Sequence, residues 1–119
     1  MAIPSGSGTE VIKYHQVQDV TTTDVLVLPS PTANHIYTIL SIVVTTASGA
    51  NAGFNLRTWT DSGFSAGQHW IINGQNLTSP ETFVWNEKFS FSGSLYLTIN
   101  TNGSANLDVH TTYIDQDWT

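Results

Sequence analysis

Histidines and acidic residues are the side chains in this sequence that could support acid–base or metal chemistry, and they are scattered along it. The four histidines are His15, His35, His69 and His110, and none forms a close pair with metal-site spacing. Asp108 and His110 share a strand face, because side chains alternate along a strand, but they would need a third ligand from elsewhere. Asp115 and Asp117 form a similar pair near the C-terminus. We expect a solvated polar face at both places, with no metal site and no cofactor.

Catalysis has no support in the pattern of carboxylates. A glycosidase needs two of them about 5–10 Å apart in a cleft. Nothing in the sequence places Glu10, Glu81 or Glu87 in that way. We therefore predict that the protein is not an enzyme and has no catalytic residues.

A binding role is suggested by the stretch FNLRTWT, in which strand alternation puts Trp59 on the polar face beside Asn55 and Arg57. An aromatic ring among polar groups could stack on a sugar ring or anchor a protein interface. The alternative is that the second sheet or a loop covers Trp59. Trp70 and Trp85 align with apolar neighbours, so both are predicted to lie in the core.

Charge and composition exclude several functions. The formal net charge is −6, and the three basic residues Lys13, Arg57 and Lys88 are far apart, so no cationic stripe exists for nucleic acid. No stretch approaches the roughly 20 apolar residues that span a bilayer, so we expect no membrane insertion. The N-terminus has no secretory-signal pattern, so any export is expected to use another route. No cysteine is available for disulfides or thiolate ligands.

The longest apolar run, HIYTILSIVVTTA from His35 to Ala47, predicts a central strand. Its β-branched content and the Ser48-Gly49 that follows argue against the competing interpretation, a buried helix. Strict alternation predicts two opposite apolar faces, one with Ile36, Leu40, Ile42 and Val44 and the other with Tyr37, Ile39 and Val43. Such a strand is covered on both sides, or its outer face meets a partner.

Turn signals about every 8–12 residues divide the rest of the chain into short strands. The predicted strands are 10–20, 24–28, 54–60, 69–73, 82–92, 95–100 and 107–114. Hairpin dipeptides at Asn73-Gly74 and Asn102-Gly103 predict tight turns. With no amphipathic helix, this pattern predicts an all-β fold, a single-domain antiparallel β-sandwich that is jelly-roll-like. Residues 1–9, rich in glycine and serine, are predicted as a flexible, extended N-terminal arm, and residues 10–119 as the sandwich domain.

Three stretches resemble small virion proteins of tailed bacteriophages: IPSGSGTEVIK (3–13), DVLVLPSPTANHIYTILSIVVTTASG (24–49) and LYLTINTNGSANLDVHTTYI (95–114). Within that class the chain looks most like capsid decoration, or cement, proteins. The resemblance implies a non-enzymatic protein of the virion that binds the outer capsid surface and stabilises it. Its partners would be the major capsid protein and further copies of itself, as a homo-trimer or homo-dimer.

The contacts implied by this resemblance are with the capsid or with other subunits. The residues expected to make them are Ile3, Pro4, Ser5, Gly6, Ser7, Gly8, Arg57, Trp59 and Trp118. A carbohydrate-binding module that uses Trp59, Asn55 and Arg57 is the alternative from another functional class. Head–tail connector, tail or fibre adhesion modules of similar fold also stay open.

Overall fold

Two antiparallel sheets pack face to face in the computed structural model, which describes residues 8–47, 50–79, 81–103 and 105–118. The strands are β1 Thr9–Val20, β2 Val25–Leu26, β3 His35–Thr46, β4 Ala52–Trp59, β5 His69–Leu77, β6 Thr82–Trp85, β7 Phe89–Phe91, β8 Tyr96–Thr101 and β9 Leu107–Asp117. No helix occurs within these ranges, and accordingly none that could cross a membrane. The prediction of an all-β, antiparallel β-sandwich is confirmed.

One sheet, here called the long sheet, has the strand order β1-β9-β3-β6, with β7 also paired to β3. The other, the short sheet, has the order β2-β8-β4-β5. The core lies between them. Its largest fully buried side chains include Phe54, Leu28, Ile39, Ile42, Leu56, Leu97, Ile99 and Leu107. Residues 1–7, which hold most of the predicted arm, lie outside the described ranges, and Thr9 already belongs to β1.

A β-bulge changes the faces of β3. The pairing of β3 with β9 shifts between Ile39 and Ser41, so one residue is added to one side of the ladder. Tyr37 and Ile39 are therefore buried on the same side as Ile42 and Val44. The assignment of these residues to opposite faces by strict alternation is wrong, because an extra residue reverses the direction of every side chain beyond it.

The predicted hairpin at Asn73-Gly74 is also wrong, since β5 continues through it to Leu77. Gly74 has a φ of +81°, and the pairing of β4 with β5 shifts twice near it. The glycine thus supplies an irregularity inside a strand instead of a turn.

The predicted strand 82–92 is interrupted at residues 86–88, which separate β6 from β7. Its four aromatic residues nevertheless all pack against the core: Phe83, Trp85, Phe89 and Phe91. The second predicted strand is shorter than expected, at Val25–Leu26, although the amide of Val27 still donates to the carbonyl of Leu97 at 2.9 Å. The last strand is longer than predicted and reaches Asp117.

Candidate functional site

Strand β1 is an edge strand of the long sheet, and β9 is its neighbour in the described chain. From Thr9 to Val17 its pairing with β9 is unbroken. It becomes irregular only between Val17 and Val20, where Asp19 has a φ of +53°. An edge strand presents a row of backbone N–H and C=O groups that can pair with another chain. Over this regular stretch, β1 has the geometry of such a template.

Exposed apolar side chains along this edge favour contact with a partner. The exposed fractions are 51% for Val11, 71% for Ile12 and 69% for Tyr14. Val11 projects to one side of the sheet, and Ile12 and Tyr14 project to the other. Burial of such residues against a partner contributes roughly 25 cal/mol per Å² of apolar surface. We call the segment Thr9–Val17, with these three residues, the open edge.

The other sheet edges carry features that discourage pairing. At one edge of the short sheet, β5 has Gly74 and two register shifts. At the opposite edge, β2 is two residues long. The far edge of the long sheet is divided between β6 and β7, which are four and three residues long. Bulges and short strands are the usual protections against edge-to-edge association, and the open edge has neither.

A buried carboxylate, Asp115, holds the open edge to the rest of the sheet. The prediction of a solvated face at Asp115 is wrong, because β1 and β3 lie on either side of β9 and supply its partners. Asp115, on β9, accepts hydrogen bonds at 2.6 Å from Nζ of Lys13 and at 2.6 Å from Nδ1 of His35. Burial alone would raise the pKa of Asp115, but the hydrogen bonds from Lys13 and His35 outweigh it and hold the pKa below its ordinary value. The bond to Asp115 also raises the pKa of Lys13. The one lysine of the open edge is thus turned toward β9.

A second polar cluster lies on the outer face of the short sheet. Nε and Nη2 of Arg57 donate to the two carboxylate oxygens of Asp24 at 2.8 and 2.7 Å. The hydroxyl of Thr98 donates to Asp24 at 2.7 Å, and Nε1 of Trp59 donates to it at 3.1 Å. Burial would raise the pKa of Asp24, but these hydrogen bonds, above all from Arg57, bring it below the ordinary value. The carboxylate of Asp24 is therefore ionised, and both of its oxygens accept hydrogen bonds from other residues of the cluster.

Trp59 lies on the predicted face but is not exposed. It pairs with Tyr96 of β8 on the side opposite Phe54 and Leu56, as alternation predicts. Its exposed fraction is only 7%, and the ring of Phe64 lies 6.4 Å from it, centroid to centroid. The expectation of an exposed Trp59 ring is wrong, because the ring of Phe64 and hydrogen-bond partners from β8 and from the loop before β2 cover it.

Trp70 is the accessible aromatic ring of this cluster, with 38% of its surface exposed. The guanidinium of Arg57 lies between the rings of Trp59 and Trp70, 4.7 Å from each centroid. The prediction that Trp70 lies in the core is wrong. A register shift between Leu56 and Arg57 places Trp70 opposite Arg57, and such a slip moves a side chain to the other face.

The remaining predicted contact residues lie near the two ends of the chain, and only two of them, Gly8 and Trp118, are described. Ile3, Pro4, Ser5, Gly6 and Ser7 lie outside the described residues. A Cβ atom at Gly8 would be 2.9 Å from the carbonyl oxygen of Asp117, so Gly8 permits a close backbone approach to β9. Trp118 is partly buried there, and its amide donates to the carbonyl of Asn34 at 3.1 Å.

The pair Asp108 and His110 lies on the outer face of the long sheet. Asp108 accepts from the amide of Asp19 at 3.1 Å, and Nδ1 of His110 lies 3.1 Å from Nε2 of Gln16. Both residues line a shallow groove of about 230 Å³. Across the ranges that the structure describes, no cluster of three His, Cys, Asp or Glu residues could hold a metal ion.

Comparisons with known proteins show the fold alone. No family model matches the sequence, and no curated protein sequence matches it. A chain from Bacillus endospore appendages, described as disulfide-linked pili, is similar in structure with a TM-score of 0.58 and 12% identity, covering 100% of this chain and 97% of that one. The CBM22-1 xylan-binding domain of Paenibacillus barcinonensis Xyn10C gives a TM-score of 0.48 and 11% identity, covering 94% and 86%.

Proposed function

We propose that this protein is a non-enzymatic structural subunit that binds the outer surface of a bacteriophage capsid and stabilises it. The observation that carries the proposal is the open edge, which supports assembly with another protein chain. A long, regular edge strand with exposed apolar residues is an aggregation hazard unless a partner covers it. The sequence resemblance to phage decoration proteins supports the capsid as the place of assembly, with the major capsid protein as partner.

Stabilisation would follow from bridging. A ligand that binds only the assembled shell shifts the equilibrium toward that shell by mass action. A small subunit that contacts two neighbouring coat proteins acts in this way, because either coat protein must lose those contacts to leave. The negative net charge of −6 supports solubility of the free subunit before assembly.

The test is co-sedimentation with capsids of the phage that encodes this chain, prepared without the protein. The full chain, a chain that begins at Glu10, and the variant Ile12→Asp are compared. Val84→Asp is the matched control, since Val84 is an apolar residue exposed to 48% on the opposite edge of the long sheet. We expect saturable binding by the full chain and by Val84→Asp, and weaker binding by Ile12→Asp and by the shortened chain. Absence of binding by the full chain would refute capsid decoration.

Carbohydrate binding is a second candidate, and the exposed ring of Trp70 favours it. Arg57 fixes this ring from one side, so its position is preorganised for stacking on a sugar. Affinity electrophoresis in gels that contain polysaccharides would test it, with Trp70→Ala as the variant and Tyr14→Ala as a control that removes an exposed aromatic elsewhere. Retardation that is lost only in Trp70→Ala would support this function. If the mobility of the wild-type chain and of both variants is the same with and without polysaccharide, this function is excluded for the polysaccharides used.

A further inference from the structure

We propose that the open edge binds a second copy of this chain, with β1 of each copy paired antiparallel. The two-fold axis that relates the copies would pass midway between the two copies of Ile12, and we call this an axis at Ile12. This inference rests on the proposed function in one respect, that the open edge serves assembly. It adds the identity of the partner and the register of the pairing. The two long sheets would then form one continuous sheet across the dimer.

The symmetry limits the possible registers. When a strand pairs antiparallel with its own copy, the residue numbers of each opposed pair have a constant sum. Opposed side chains lie on the same face of the sheet, so their residue numbers are both odd or both even and the sum is even. The axis therefore passes midway between the two copies of one residue of β1. The candidate axes in the exposed apolar segment are Val11, Ile12, Lys13 and Tyr14.

Side-chain complementarity selects Ile12 from these candidates. An axis at Lys13 would oppose Ile12 to Tyr14, but it would also oppose two lysines, and like charges directly opposite each other are destabilising. An axis at Tyr14 would oppose Ile12 to a glutamine. An axis at Val11 would oppose the most exposed apolar residue, Ile12, to Glu10. The axis at Ile12 instead opposes Ile12 to itself.

The same register covers the other two exposed apolar residues. Val11 lies opposite Lys13 of the second copy, whose aliphatic stem can cover it while its ammonium stays with Asp115. Tyr14 lies opposite Glu10 and diagonal to Ile12 of the second copy, which is within reach of an aromatic side chain. No two charges of equal sign are directly opposed. The open edge is therefore complementary to itself, which is what an isologous interface requires.

The expected dimer is weak in solution. The contact involves one strand of each copy, which is at the lower end of specific interface sizes, and we expect a Kd on the order of micromolar. The two copies of Thr9 would lie at opposite ends of the paired strands, because these strands run in opposite directions. On a capsid, the two copies in one dimer would bind by avidity even if each contact were weak.

Single-cysteine crosslinking tests the register, and the absence of native cysteine makes each introduced thiol unique. In Ile12→Cys the two opposed Cα atoms would be about 4.5–5.5 Å apart, within disulfide range. Tyr14→Cys is the matched control, because it has similar exposure on the same face. Its two thiols would be offset by four residues along the strand, about 13 Å, which is too far for a disulfide.

The full-length variants are oxidised with copper phenanthroline, and covalent dimers are followed on non-reducing gels. Sedimentation equilibrium of the wild-type chain, Ile12→Asp and Val84→Asp at about 100 µM, well above the expected micromolar Kd, gives the oligomeric state. We expect dimers for the wild-type chain and Val84→Asp, monomers for Ile12→Asp, and crosslinking of Ile12→Cys at least about tenfold faster than of Tyr14→Cys. Equal crosslinking of both cysteine variants, or a monomeric wild-type chain, would overturn the inference.

The two proposals fail in different ways. A dimer with fast Ile12→Cys crosslinking that does not bind capsids would support this inference and refute capsid decoration. A monomer that binds capsids, and loses that binding in Ile12→Asp, would show that the coat protein occupies the open edge and would overturn the inference. Faster crosslinking at Tyr14→Cys would overturn the register.

Discussion

Replacement of Asp24 by asparagine should substantially lower the stability of the sandwich. The side chain of Asp24 is 10% exposed, and that of Arg57 is 18% exposed. Asparagine keeps one oxygen but presents an NH2 group where the second carboxylate oxygen stood. That group cannot accept from Arg57, Thr98 or Trp59, so at least one buried donor loses its partner and the guanidinium loses its counter-charge.

The magnitude follows from the number and kind of bonds lost. The charge-assisted hydrogen bond that Arg57 loses is worth about 1.5–3 kcal/mol. Removal of one partner from a buried ion pair costs about 3–5 kcal/mol. Because Arg57 keeps some contact with water, we expect a loss of about 3–4 kcal/mol in the free energy of unfolding. For a domain of this size, that corresponds to a decrease in Tm of roughly 10–15 °C.

Equilibrium unfolding in urea, followed by tryptophan fluorescence, measures this loss. Glu87→Gln is the control, since it makes the same change in charge at an exposed side chain and should stay within about 0.5 kcal/mol of the wild-type chain. A loss below about 1 kcal/mol in Asp24→Asn at pH 7, with an unchanged urea dependence, would refute the interpretation of Asp24 as the ionised centre of the cluster.

The pH dependence gives an independent check on the same residue. The pKa of Asp24 in the folded chain is below its ordinary value, so its contribution is complete above the unfolded pKa of about 3.9. That contribution is lost as the pH falls through the folded pKa. The stability difference between the wild-type chain and Asp24→Asn should therefore be constant from about pH 5 to 8 and decrease at lower pH. A difference that does not change at acidic pH would show that the charge of Asp24 is not what stabilises the fold.

Three further predictions test the sheet and the core, each by urea unfolding. Asp115→Asn should cost about 2–4 kcal/mol, at the low end because solvent screens the half-exposed Lys13, and its effect should diminish as the pH falls through the lowered pKa of Asp115. Gly67→Ala should destabilise more than Gly74→Ala by at least about 1 kcal/mol; both have positive φ, but only at Gly67 would the new Cβ collide with a neighbouring side chain. Phe54→Ala should cost about 3–5 kcal/mol and Tyr14→Ala less than about 0.5, and equal costs would contradict the assignment of core and surface.

The sequence pattern predicted the strands better than it predicted their faces. The positions of β1, β3, β4 and β8 follow directly from alternation and turn residues. The faces of β3 do not, because the bulge near Leu40 is set by how β3 pairs with β9, about 70 residues away. Phe89 lies opposite Ile39 and Trp85 opposite Ile42, so the same irregularity aligns the aromatic residues of β6 and β7 with the core.

The candidate sites depend on contacts that local sequence does not encode. Trp59 is covered because Asp24, from the loop before β2, reaches its indole N–H and Arg57 together. The exposure of Trp70 depends on a register shift between β4 and β5. The open edge depends on strand order, which puts β1 outside β9. One signal for it was present, since Val11 and Ile12 place apolar side chains on both faces of β1, where a strand with one solvated face would place them on one.

The buried ion pair behind the open edge is best understood together with that edge. A charge as buried as Asp115 is costly, and apolar residues in place of the whole ion pair would often be as stable or more so. The hydrogen bonds of Asp115 instead fix the position of β1. They connect Lys13 of β1 and His35 of β3 to β9, which lies between these two strands, near the end of the sheet where β1 begins. A strand whose position is fixed before it meets a partner loses less conformational entropy on binding. The ion pair would in this way favour the association through β1 that we propose.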